Sequence, residues 1–264
     1  SGAVWLNGNG TYALNATDLN AVYTPSATEI TAGIVTLTLQ TTGMGNCSAE
    51  TDQITITIDP QPTTNAGPNQ TSCANNPNIN LAGIVTNATG GIWSGGSGSF
   101  NPNATDLNGI YTPSAAEISA GMATLTLTST GNGSCNATTD QFIITIVPAP
   151  LADADVDQSV CSNNSDVTLS GSVTGASGGT WSGGLGLFTP SANALNAVYS
   201  PTAGEVASGT LTLTLTTSGN GSCSAETDNM VVTFTASPTV IAGADLTSCA
   251  NNPDVTLSGT VGVA

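Results

Sequence analysis

Two kinds of side chain recur here at intervals regular enough to suggest chemistry: carboxylates and cysteines. Glu29, Glu117 and Glu205 stand at equal spacing, as the acids of a multi-site catalyst would. Asp52, Asp140 and Asp228 each follow a Thr just ahead of an apolar run, and calcium needs several such oxygens converging on one point. Glu50 and Glu226 would add ligands, and Asp153, Asp155 and Asp157 form a denser acidic group. The six cysteines, at 47, 73, 135, 161, 223 and 249, are candidates for metal binding or disulfides.

What is absent decides most of these questions. The 264 residues include 17 acids and no Lys, Arg or His, for a formal charge of −17. Without imidazole there is no Ser-His or Cys-His dyad and no His ligand. Without cations nothing neutralises phosphate, so nucleic acid and anionic membrane surfaces are excluded as partners. The sequence therefore reads as no enzyme, with no catalytic residue, no cofactor and no metal site. The glutamates have a simpler account: Ser26, Ser114 and Thr202 precede them by three residues and Gly33, Gly121 and Gly209 follow by four, which is a capped helical turn. The aspartates read as turn formers. A calcium cage would not lose Glu at Thr138, nor an Asp at Ala194 where the other copies have Asp18 and Asp106.

The chain that carries these residues repeats every 88 positions. Trp5, Trp93 and Trp181 share that step, as do Tyr23, Tyr111 and Tyr199 and both cysteine series. Proline-containing segments at Pro60-Gln61-Pro62, Pro148-Ala149-Pro150 and Ser237-Pro238 read as short stiff linkers. They divide the chain into a partial unit 1–59 lacking its first strands, complete units 63–148 and 151–236, and the first strands of another at 239–264.

Within a unit, apolar residues alternate with Thr. Examples are Leu125/Leu127, Phe142/Ile144/Ile146 and Val167/Leu169/Val173. Strands with one apolar face must pair as two layers. The expected fold is all-β: tandem immunoglobulin-like antiparallel β-sandwich domains on an 88-residue repeat. Trp93, in Gly-Ile-Trp-Ser-Gly-Gly, is expected in the core rather than on a sugar-stacking surface, and Tyr111 is expected to anchor a loop through its hydroxyl. Sequons at Asn15, Asn69, Asn103, Asn132 and Asn136 are weak signals in so Asn-rich a chain. Thr-Leu-Thr runs such as 124–126 suit a half-buried strand better than a flat ice-binding array.

Two cysteines per unit imply disulfides and an oxidising exterior, and there is no zinc-type Cys-x-x-Cys. Two pairings fit the spacing. One joins Cys73 to Cys135 and Cys161 to Cys223 within units, leaving Cys47 and Cys249 to pair outside the segment. The other crosses each linker, as in Cys47–Cys73, but it must span roughly collinear strands at ~3.3 Å per residue against the ~6 Å allowed between bridged Cα atoms. The intra-unit pairing is the expectation.

The string Asn65-Ala66-Gly67-Pro68-Asn69-Gln70-Thr71-Ser72-Cys73, with Trp93-Ser94-Gly95-Gly96 and Tyr111-Thr112-Pro113-Ser114-Ala115-Ala116-Glu117, resembles the PKD-like and immunoglobulin-like repeats of giant secreted Bacteroidota surface proteins. The resemblance covers all three periods. It implies export, many further copies, a secreted or cell-surface location, and a structural role in an adhesin stalk or extracellular filament. The partners expected are neighbouring copies of the same repeat, in a continuous chain or, if the chain ends at Ala264, in a homopolymer whose terminal strands complete residues 1–59 of the next copy. The alternative is a multivalent module binding calcium or surface polysaccharide.

Overall fold

The computed structural model describes residues 2–262. By proximity they gather into two units, one made of residues up to Gln70 with Asn78–Thr145, the other of Thr71–Pro77 with residues from Ile146 onward.

The stretch 151–236 shows the architecture whole. One sheet has the order Gln158–Cys161, Thr227–Thr235, Thr210–Ser218, Gly178–Ser182. A second has the order Val167–Thr168, Val198–Ser200, Leu187–Thr189. Leu151–Asp153 forms a small ribbon with Ser172–Thr174. Pairing is antiparallel except at one edge, where Gln158–Cys161 runs parallel to the last strand with Gln158 opposite Val232 and Cys161 opposite Thr235.

The leading segment serves two partners because it kinks between them. Asp155 has φ 67, and its counterpart Gly67 has φ 86, the left-handed region that Gly enters freely and Asp tolerates.

Alternation places Leu213, Leu215, Met230 and Val232 inward against Val167, Leu169, Trp181 and Tyr199 in a single core. The Thr residues between the inward Leu residues face outward, and that split makes the two-layer fold. Trp181 is buried and its indole N–H donates to the Leu195 carbonyl at 3.1 Å. A Cβ on Gly171 would lie 2.7 Å from Trp181 Cζ2, so this glycine allows the close approach. In the preceding period Gly83 does the same for Trp93, which is also buried and meets Phe142 edge-on at 5.7 Å. Both tryptophans are core residues, and the glycine each needs lies just ahead of another strand, Ile84–Thr86 for Trp93 and Ser172–Thr174 for Trp181.

The helical turns are capped as the spacing predicts. Ser114 accepts from the Glu117 amide, Glu117 accepts from the Ser114 amide, and Gly121 ends the turn at φ 74; Glu29 and Glu205 repeat the box. Each glutamate does more than cap. Glu117 Oε1 accepts from the Tyr111 hydroxyl at 2.8 Å and the Ser97 amide at 3.0 Å, while that hydroxyl accepts from the Gly98 amide at 2.9 Å. One carboxylate thus ties helix, strand and loop together. Burial alone pushes the Glu205 carboxyl up, but the amides of Thr202 and Leu185 and the Tyr199 hydroxyl outweigh it and hold the group at about 2. Glu29 is likewise held at about 2, and Glu117 lies below the usual carboxylate range. Burial and the adjacent carboxylate push the Tyr111 and Tyr199 hydroxyls up to about 12.

Sequon asparagines also find structural work. Asn103 Oδ1 accepts from the Thr105 amide at 2.9 Å, and Asn69 Oδ1 accepts from the Ile143 amide at 2.8 Å.

Residues 2–57 form a sheet of Gly2–Leu6, Ile34–Thr42 and Thr51–Thr57, with Thr11–Tyr12 paired to Tyr23–Thr24. At the other end Thr239–Ile241 pairs with Thr260–Gly262.

Carboxyls held below their unfolded value of about 4.3 stabilise the fold at neutral pH, and that contribution fades as pH falls toward 2. The tyrosines give stability that is full below about pH 10 and lost as pH rises toward 12. Urea unfolding is therefore expected to show a plateau with two falling limbs. Glu117→Gln with Glu205→Gln should blunt the acid limb, whereas Glu117→Ala should cost about 2 kcal/mol at neutral pH by stranding the Tyr111 hydroxyl and two amides.

Candidate functional site at the stapled linker

The cysteines form one bond, and it is neither of the pairings the spacing suggests. Cys73 is joined to Cys223, 150 positions away, with Cα atoms 5.0 Å apart. Cys135 and Cys161, expected as their partners, are half-buried thiols, and Cys47 and Cys249 are exposed thiols.

The reason is local geometry. Gln70–Cys73 ends beside the close of Thr139–Val147, where the Ala74 amide donates to the Val147 carbonyl at 2.9 Å. Cys73 therefore arrives at the linker, not at its own unit's hairpin loop. Cys223 lies in the loop between Thr210–Ser218 and Thr227–Thr235 of the following period, and that loop reaches back to the same linker. The Pro148 carbonyl oxygen sits between them, 3.8 Å from Cys73 Sγ and 3.7 Å from Cys223 Sγ.

A polar clamp accompanies the bond. Asn75 Nδ2 donates to Glu226 Oε1 at 2.7 Å and to the Ser224 carbonyl at 3.0 Å, and its Oδ1 accepts from the Ser224 amide at 3.2 Å. Glu226, weighed as a calcium ligand, is thus an acceptor in this clamp. Sequence reasoning passed over Asn75, although it recurs as Asn163 and Asn251 and that recurrence was its signal.

The recurrent aspartates hold the other side of each linker. Asp228 Oδ2 accepts from the Ala154 amide at 2.8 Å, and Asp140 Oδ2 accepts from the Ala66 amide at 2.8 Å. They are not turn formers in their own loops: each hooks the leading segment 74 residues earlier, just where it kinks. Asp157 Oδ1 accepts from the Val231 amide at 2.8 Å and Asp153 Oδ1 from the Asp155 amide at 3.0 Å, so that acidic group is also spent on backbone donors. Asp59 accepts from the Ser134 hydroxyl at 2.9 Å. Among the described residues no three of Cys, Asp and Glu gather as a metal cluster.

A groove of about 530 Å³ runs beside the linker, walled by Val147, Pro148, Ala149, Leu151, Asn220 and Cys223 among others. Its polar lining comes from Thr71, Thr174, Asn220 and Ser222. A covalent bond, an amide clamp and a carboxylate hook meet around one proline-containing segment.

No protein-family model matches this chain. No curated protein matches it. Among solved structures it is similar to the protocadherin gammaB7 EC3-6 cis-dimer structure, at 12% identity over 91% of this chain and 68% of that one with a TM-score of 0.40. It is also similar to mouse protocadherin-24 EC1-3, at 10% identity over 89% and 90% with a TM-score of 0.38. Protocadherin gamma C5 EC1-3 gives 14% identity over 88% of each chain and a TM-score of 0.41. Among the described residues no helix is long and apolar enough to cross a membrane.

Asp228→Ala should free the Ala154 amide and lower the stability of the 151–236 stretch by about 1–3 kcal/mol. Hydrogen exchange checks this: the Ala154 amide should lose protection in the variant, while an Asp254→Ala control should leave it unchanged.

Proposed function

We propose that the chain is a load-bearing spacer from an extracellular filament or adhesin stalk, of the surface-protein kind its repeats resemble. The observation that carries this reading is the Cys73–Cys223 bond, because it ties the strand Gln70–Cys73 of one period to a hairpin loop of the next. A disulfide also suits an oxidising exterior. With no Lys or Arg, the chain offers trypsin-type proteases nothing to cut. Buried Trp93 and Trp181 leave no aromatic platform at those positions for a sugar to stack upon, which weighs against the polysaccharide-binding alternative.

In mechanical terms the bond encloses most of two periods in a covalent ring. Under tension only residues outside that ring lengthen, and the enclosed sandwiches are shielded until the disulfide is reduced. On the chain-entropy treatment a ring of this size also disfavours the unfolded state by about 5 kcal/mol.

Pulling single chains by their ends tests the proposal. With 150 positions enclosed at ~3.4 Å each, reduction should add about 500 Å of extensible length. Equal extension before and after reduction would contradict it.

A further inference from the structure

The Cys73–Cys223 bond is symmetric as a covalent link and asymmetric in its surroundings. Cys73 is 0% exposed, whereas Cys223 is half-buried and forms part of the wall of the groove beside the linker. Thiol–disulfide exchange requires an incoming thiolate to reach one of the two sulfurs, which then keeps the new partner while the other sulfur departs. Access decides which sulfur is attacked, and only the Cys223 side offers it. Val147, Pro148, Leu151, Thr174 and Asn220 line the groove along with Cys223, and its volume of about 530 Å³ accommodates a small organic group.

A second, independent observation concerns the sulfur that would depart. Cys73 Sγ lies 3.1 Å from Asn75 Oδ1 and 3.8 Å from the Pro148 carbonyl oxygen. Both oxygens are acceptors, so a released Cys73 has partners for an S–H proton. A thiolate at the same place would face those two oxygens, with no Lys, Arg or His in the sequence to offset them. Asn75 donates to Glu226 Oε1 and the Ser224 carbonyl and accepts from the Ser224 amide, bonds that do not pass through sulfur. The acceptor for the released thiol is therefore held independently of the disulfide.

We infer that the bond is opened from the groove alone and that Cys223 is a thiolation site. An external thiolate attacks Cys223 Sγ and forms a new S–S bond there. The Cys73–Cys223 bond breaks, and its electron pair goes to Cys73, which takes one proton from water and becomes a thiol. Held as a donor to Asn75 Oδ1, that thiol is not the nucleophile that would reverse the step. A second external thiolate later attacks the outer sulfur of the adduct, releasing Cys223 and an external disulfide. The inference rests on the spacer reading for its consequence: the first exchange already opens the covalent ring, with Cys223 capped. Charge sets the class of reagent. The chain carries −17, so an uncharged or cationic thiol reaches Cys223 faster than an anionic one.

The test uses the whole oxidised chain. Its free thiols are blocked with N-ethylmaleimide, mercaptoethanol is added, and the reaction is stopped early with iodoacetamide. Cleavage after Glu then places Cys73 on 51–117 and Cys223 on 206–226. Mass spectrometry is expected to find the mercaptoethanol adduct on 206–226 and the acetamide cap on 51–117. The reverse labelling, equal adducts on both fragments, or acetamide on both with no adduct would overturn the inference. Thr174→Trp, at an exposed position on the groove wall, should slow the exchange several-fold while leaving the urea midpoint unchanged. An unaltered rate in that variant would rule out the groove as the route. With each rate divided by that reagent's rate on bis(hydroxyethyl) disulfide, cysteamine should outpace mercaptopropionate by about tenfold at low salt. High salt should close that gap, and equal rates at low salt would contradict the reagent class. The length gained on pulling after full reduction does not depend on which sulfur is attacked. Symmetric labelling with that gain intact would sink this inference and leave the spacer reading standing, and one-sided labelling without the gain would do the reverse.

Discussion

Cys73 closes one strand and Cys223 sits in a hairpin loop a period further on, and their bond passes around the carbonyl of Pro148. This one link defines how the linker is used. Without it, a proline-containing segment between two sandwiches is a semi-rigid spacer whose stiffness comes from its own backbone. With it, the segment is bounded by a covalent ring, an Asn75 clamp and an Asp228 hook.

The second constraint is the missing cations. A chain with 17 acids and no Lys, Arg or His cannot stabilise a buried carboxylate with an ion pair. It uses dipoles instead. Glu117 is buried, yet amides from its own cap and from the 97–98 loop, together with the Tyr111 hydroxyl, keep it charged. Asp140 and Asp228 each accept one long-range amide, from Ala66 and Ala154. The recurrent acids that looked most like a catalytic or calcium-binding series thus act as acceptors that fix loops and linkers.

The two-layer architecture was legible because Thr–Leu alternation leaves a strand no other place to hide its apolar face. The capping boxes were legible because a three-residue spacing has one geometric meaning. The disulfide was not. Spacing showed Cys73 and Cys135 in one period, but it carried no sign that the chain after Cys73 bonds to Val147 and so brings Cys73 to the linker. A parallel edge pair inside an otherwise antiparallel sandwich depends on the kink at Gly67 and Asp155, and a lone Asp does not announce a left-handed turn. Asn75 escaped notice because Asn is abundant here, and its role shows only once the hairpin loop of the next period is beside it.

The measurement that reaches this account most directly is fragment mapping of the native, unreduced chain after cleavage at Glu. Cys73 lies on 51–117, Cys223 on 206–226, and Cys135 on 118–205. The account requires a linked pair of 51–117 with 206–226. Finding 51–117 bonded to 118–205 instead would place the bridge inside one sandwich and contradict it.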